Sequence, residues 1–109
     1  MRAHSLEVRT TPDGSVIIHP WGSVGEDRAA ELRQLILRTV RHVRPLRLVF
    51  DLTDVGAIDP INVGTLAAAC ALGDGHEVPV FVDNPRSDLA DLLCSAGVPP
   101  QNLRYVGRR

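Results

Sequence analysis

The stretch Leu46 to Leu52, LRLVFDL, constrains this chain more than any other. It is rich in large apolar and β-branched residues and shows no polar alternation in its second half, which is the pattern of a strand covered on both faces. Such a strand belongs in the middle of a sheet, so the remaining segments are read around it. Upstream, Leu6 to Thr11 alternates apolar and polar residues, Pro12-Asp13-Gly14 is turn chemistry, and Ser15 to His19 is β-branched and apolar. These features predict an N-terminal hairpin. After Pro20-Trp21-Gly22, the periodicity predicts a helix from about Glu26 to Val43. Leu32, Leu35, Ile36, Val40 and Val43 share one face of it. Glu26 and Asp27 near its start and Arg38, Arg41 and Arg44 near its end suit the helix dipole, and the basic run reads as a solvated face.

Downstream of the central strand, Asp59-Pro60 predicts a helix start, because Asp is a favoured N-cap and proline at the first helical position loses no hydrogen bond. Val63, Leu66, Ala67 and Cys70 follow at helical spacing, and the helix is expected to end near Gly73 with Asp74-Gly75 as a turn. Val78 to Val82 reads as a strand, and Asn84-Pro85 as a second capped helix start. Leu89, Leu92, Leu93 and Ala96 lie on the helix that follows. Gly97 suits the C′ position, Pro99-Pro100 stops the helix, and Leu103 to Val106 is a last short strand before a basic tail. The order β-β-α-β-α-β-α-β predicts an α/β domain with a mixed, mostly parallel sheet of four or five strands and three or four helices. Leu52, Ile58, Val63, Leu66, Leu92 and Leu93 are expected in the core.

With 109 residues and 44% apolar content, one domain over 1–109 is expected. Twelve Lys and Arg against 13 Asp and Glu give no positive field for a phosphate backbone, so nucleic acid is not an expected partner. The longest apolar stretch, around Val63 to Leu72, is too short to cross a bilayer, and Met1 to His19 lacks the apolar run of a signal peptide. No membrane association and a cytoplasmic location are therefore expected. Cys70 and Cys94 have no CxxC or CxxH neighbours and read as free thiols packed as small hydrophobes. The four histidines gather no ligand set, so neither a metal nor a cofactor is expected.

The functional interest lies after the central strand. Thr53 to Ile58 leaves its carboxyl end as a loop and delivers the chain to a helix N-terminus, the usual place for a site in an open α/β sheet. Free N–H groups there suit an anion or a partner's carboxylate. Ile61, at the second helical position, places an apolar side chain beside them, which suits protein contact better than phosphate. Burial of Ile61 in the core is the other reading, and the sequence leaves both open. Thr53 and Thr65 read as structural hydroxyls and Trp21 as a core anchor. An enzyme reading would make Asp51, Asp54 and Asp59 a metal cluster of a small hydrolase. The chain offers no nucleophile-and-base set to go with it.

The segment Asp51-Leu52, Asp59-Pro60-Ile61-Asn62-Val63-Gly64-Thr65-Leu66 resembles the signature of STAS domains, of the anti-sigma factor antagonist type. In that family a buried strand ends in Asp-Leu, and after a short loop an Asp-Ser-Ser/Ala-Gly-x-Gly-x-x-Leu motif opens the second helix. The hairpin, the Gly22 turn, the Val78 to Pro85 strand and turn, and the Leu92 to Val98 helix end fall in family order. The resemblance implies a non-enzymatic module that binds an anti-sigma factor of the histidine-kinase-like ATPase class and so frees a sigma factor. It implies a contact surface at Asp54, Asp59, Pro60, Ile61, Asn62 and Gly64. Ile61 falls on the family's phosphorylated Ser or Thr and carries no oxygen to accept a phosphoryl group. Asn62 replaces the first motif glycine, and Gly25 stands where an acidic residue is common. The same resemblance admits a subunit of a larger STAS-containing assembly, such as a signalling complex or a lipid-transport accessory.

Overall fold

The computed structural model describes residues 6–107. Its centre is the strand predicted from LRLVFDL, here β4 (Leu48–Asp51). The hairpin is present: β1 (Leu6–Thr10) pairs antiparallel with β2 (Val16–Pro20). Its turn is closed by the Thr11 N–H donating to the Ser15 carbonyl at 2.9 Å, with Gly14 in the left-handed region at φ 91°. Asp13 accepts hydrogen bonds there from the Thr11 hydroxyl and from the Ser15 N–H, and these hold its carboxyl well below the usual carboxylate range. The chain then forms a short strand β3 (Gly22–Val24), and β4 is followed by another, β5 (Val55–Ile58). Beyond them come β6 (Val80–Asp83) and β7 (Leu103–Arg104). The main sheet runs in the order β1-β2-β4-β6-β7, parallel from β2 onward, while β3 and β5 pair separately as a parallel ribbon.

Three helices lie side by side on one face of this sheet. They are α1 (Ala29–Arg38), α2 (Pro60–His76) and α3 (Ser87–Ser95). The core forms where Val16, Ile18, Leu48, Phe50, Val80 and Val82 of the strands meet Leu32 and Ile36 of α1, Val63, Leu66 and Cys70 of α2, and Leu89 and Leu93 of α3. The strand residues align in rows, Val16 beside Leu48 beside Val80 and Ile18 beside Phe50 beside Val82, so alternate side chains all point toward the helices.

The central strand is not sandwiched between helix layers. Its second face carries Val49 in a row with Ile17 and Phe81, and Ile17 and Val49 line an open basin of about 820 Å³. Helix 1 is shorter than 26–43: Glu26–Arg28 forms a 3₁₀ turn and Thr39–Val43 a wider π-type turn ending at Arg44, φ 52°. That widening rotates Val43 off the apolar face, and it is exposed.

Helix 2 does not stop at Gly73. It runs to His76 and is terminated by Glu77 at φ 60°. Gly73 serves another purpose, because a Cβ there would lie 2.3 Å from the Val78 carbonyl oxygen and 2.6 Å from Val80 Cγ2. Asn84 does not cap helix 3, which begins at Ser87. Its backbone is left-handed, φ 58°, and its side chain bridges the Thr53 hydroxyl, at 2.9 Å, and the Val106 N–H, at 2.8 Å.

Of the residues expected in the core, Leu52, Val63, Leu66 and Leu93 are buried, Ile58 is half-buried, and Leu92 is 54% exposed. Leu93 and not Leu92 completes the i, i+4 pair with Leu89, so Leu92 turns outward. Cys70 is buried, and burial pushes its thiol up; Cys94 is exposed, contrary to the packed position expected for it. Trp21 is 40% exposed and stacks obliquely on His19 rather than anchoring the core, because the chain leaves the sheet at Gly22, φ 77°, to enter the β3–β5 ribbon.

Candidate protein-contact site

Helix 2 starts where the sequence places it. Asp59 is the N-cap, its carboxylate accepting from the Ile61 N–H at 3.0 Å, and Pro60 occupies the first helical position. The segment expected to be a plain loop, Thr53 to Ile58, is mostly strand. β5 pairs with β3, and the ribbon hands the chain to helix 2 through the Asp59 N–H donating to the Val24 carbonyl at 2.8 Å. Arg86 ties the same ribbon down from the start of helix 3, donating to the Gly56 carbonyl at 2.7 Å.

Ile61 is on the surface at 48% exposure, which removes the core reading. Pro60 and Gly64 are exposed beside it and Asp59 is half-buried. Asn62 departs from the expected contact role, since it is fully buried. Its Nδ2 donates to the Val24 carbonyl at 3.2 Å and to the Gly25 carbonyl at 2.8 Å, pinning the helix start to the end of β3. Its Oδ1 is buried with no hydrogen-bond partner among the described residues, a cost of about 1–3 kcal/mol that the two Nδ2 bonds must offset. Asn62 positions the surface and does not form it.

Asp54 also departs from the group. It lies before β5, whose four residues separate it from Asp59 by about 15 Å at the rise of an extended strand. Its carboxylate meets His19 Nε2 at 2.8 Å on the rim of the open basin. Thr65, predicted to be structural, donates its hydroxyl to the Ile61 carbonyl within the helix at 3.0 Å. Thr53 bonds Asp51 through both its N–H, at 3.1 Å, and its hydroxyl, at 2.5 Å.

The metal-cluster reading fails on geometry. Asp51 is engaged by Thr53, Asp54 by His19, and Asp59 by the helix start, and no group of three metal-ligating side chains converges among the described residues. No helix among the described residues is long and apolar enough to cross a membrane.

The outward side of helix 2 is unusual for a surface helix. From Pro60 to Gly73 it contains no charged residue, yet Ile61, Gly64, Ala68 and Ala71 are exposed along it. A helix apolar on all sides is normally buried on all sides.

A second assembly of polar groups was not anticipated from sequence. Across the open face of the sheet, Arg104 forms a forked pair with Asp83, at 2.8 and 3.0 Å, while its guanidinium lies 4.4 Å from the Phe81 ring centre. Asp83 neighbours Asp51 on the next strand, and His19 reaches Asp54 and, at 3.6 Å, Glu7. Strand alternation was the available signal, since Asp51 and Asp83 each follow a core residue by one position and so point away from the helices.

With this geometry in place, the chain is similar to several solved structures. SpoIIAA from Bacillus in its phosphorylated form matches with a TM-score of 0.81 at 11% identity, over 94% of this chain and 92% of that one. The unphosphorylated form of SpoIIAA, an anti-sigma factor antagonist, matches with a TM-score of 0.79 at 10% identity, over 94% and 89%. RsbS from Moorella thermoacetica matches with a TM-score of 0.77 at 12% identity, over 95% and 87%. The fold is of the STAS type. No protein-family model matches the sequence, and no curated protein matches it. The helix 2 start, with Ile61 in its first turn, follows the central strand and the β3–β5 ribbon.

Proposed function

We propose that this STAS-fold chain is a non-enzymatic, cytoplasmic regulatory module that binds an anti-sigma factor of the histidine-kinase-like ATPase class and frees a sigma factor by competition. The observation that supports it is the uncharged, exposed side of helix 2 headed by Ile61. Exposing an apolar surface of this kind to water costs free energy, and covering it with a partner recovers that cost. Asp59, Pro60, Ile61 and Gly64 form the contact, and Asn62 holds it in place from beneath. Ile61 carries no hydroxyl, so the module is not switched by phosphorylation at that position; its occupancy follows its own abundance and that of its partner.

Ile61→Glu tests the reading. A carboxylate on the first helical turn is electrostatically tolerated, so the melting temperature is expected to hold within a degree or two. Under a partner the same charge is desolvated without a counter-ion, and binding to an anti-sigma factor captured from native lysate and identified by mass spectrometry is expected to weaken by about 2 kcal/mol or more. Binding unchanged by Ile61→Glu places the contact elsewhere. Recovery of a multi-subunit STAS assembly in place of an anti-sigma factor favours the subunit reading.

A further inference from the structure

The main sheet ends at β1, whose outer edge faces no other strand among the described residues. Which backbone groups point outward follows from the hairpin. In an antiparallel ladder, opposed residues alternate between pairs that exchange two hydrogen bonds and pairs that exchange none. The Thr11 N–H bonds the Ser15 carbonyl, while the Val16 N–H turns away from β1 to the Arg47 carbonyl at 3.0 Å. Counting back along the register, Arg9 with Ile17 and Glu7 with His19 are the bonded pairs. Leu6, Val8 and Thr10 therefore present their N–H and C=O groups to the free edge. Pro20, which has no N–H, sits opposite Leu6, where none is needed.

From this edge we infer a homodimer in which β1 of a second copy adds antiparallel, with the twofold axis passing midway between the two Val8 residues. The sequence LEVRT is self-complementary about that residue. Leu6 pairs with Thr10 of the second copy, Val8 with Val8, and every outward N–H and C=O of both strands finds a partner. Glu7 lies opposite Arg9 of the second copy, and Arg9 opposite its Glu7, at the non-bonded positions where side chains approach closest.

The neighbouring registers fail. A shift of two residues one way places Glu7 against Glu7, and the other way Arg9 against Arg9, and like charges directly opposite one another are destabilising. Val8 supports the same register, because it is 46% exposed on the helix side of the edge, and facing its own copy would cover it. An edge with one sign of charge repels other strands; this one, with alternating signs, selects its own copy.

Sedimentation of the purified chain across a concentration series tests the inference. A reversible monomer–dimer equilibrium that weakens with salt is expected. Val8→Pro removes an outward N–H and leaves the β1–β2 bonds intact, so the dimer should be lost with the melting temperature nearly unchanged. Glu7→Arg and Arg9→Glu should each weaken association at least about tenfold, and the double variant should restore it. A monomer at every concentration up to about 1 mM overturns the inference and leaves the edge to a strand of some other protein. A dimer insensitive to Val8→Pro, or a double variant that fails to recover, overturns it as well.

Discussion

Asp83 is a nearly buried carboxylate on a strand beside another carboxylate, and Arg104 is what makes this tolerable. The forked bond and the contact with the Phe81 ring hold the guanidinium over the sheet. Arg104→Ala is expected to lower stability by about 2 kcal/mol, less than the roughly 3–5 kcal/mol of a fully buried pair because Arg104 is one-third exposed. Arg104→Lys should recover only part of it, since a point charge cannot reproduce the fork. Chemical denaturation of the three proteins checks this, and equal stability of wild type and Arg104→Ala would remove Arg104 from any structural role. Alternation along the strands tells that Asp83 points away from the helices, but the sequence, which places Arg104 in a strand from Leu103 to Val106 and Asp83 just past one from Val78 to Val82, does not tell that the two side chains meet. Ile61 was legible only as a choice between core and surface. The first turn of a helix has free backbone groups and few side-chain neighbours, so periodicity does not say which way its second residue turns. Only the tertiary structure decides, and it exposes Ile61.

The long elements followed from pattern, and the short ones did not. Central strand, hairpin and the start of helix 2 follow from apolar periodicity and cap chemistry that act over a few neighbouring residues. The β3–β5 ribbon escaped notice because its strands have three and four residues, carry glycines at Gly22 and Gly56, and pair across more than thirty positions of sequence. Helix 2 continues to His76, past the end that Gly73 predicts. Glycine usually marks a helix end by adopting a left-handed backbone. Gly73 instead lies inside the helix, where the strand leading into β6 passes against it. An ordinary helix interior gains about 1 kcal/mol from Gly→Ala. Here the added methyl meets a backbone oxygen that has no room to move, and Gly73→Ala is expected to destabilise by about 3 kcal/mol. Thermal melting of the variant decides the sign, and a raised melting temperature would mean that helix 2 and β6 are not so closely apposed.

One hydrophobic layer between three helices and one face of a sheet makes the whole molecule, and the opposite face remains open to solvent over its polar basin. That one-sidedness is not what the central strand's sequence predicts. LRLVFDL lacks the alternation of a half-solvated strand, yet Val49 is buried without a second helix layer, set between Ile17 and Phe81 on the adjoining strands. The order of strands has a further consequence, for the rates at which backbone amide protons trade with solvent. β4 is flanked on both sides and its amides should exchange only when the entire molecule unfolds, whereas the strand farthest from the centre opens by local fraying. Within β1 the rates should alternate: Glu7 and Arg9, bonded to β2, slow, and Leu6, Val8 and Thr10, facing outward, fast. Deuterium exchange followed residue by residue in dilute protein should reveal this two-residue rhythm, and protection of Val8 that rises with protein concentration would mark the moment at which a second strand covers it.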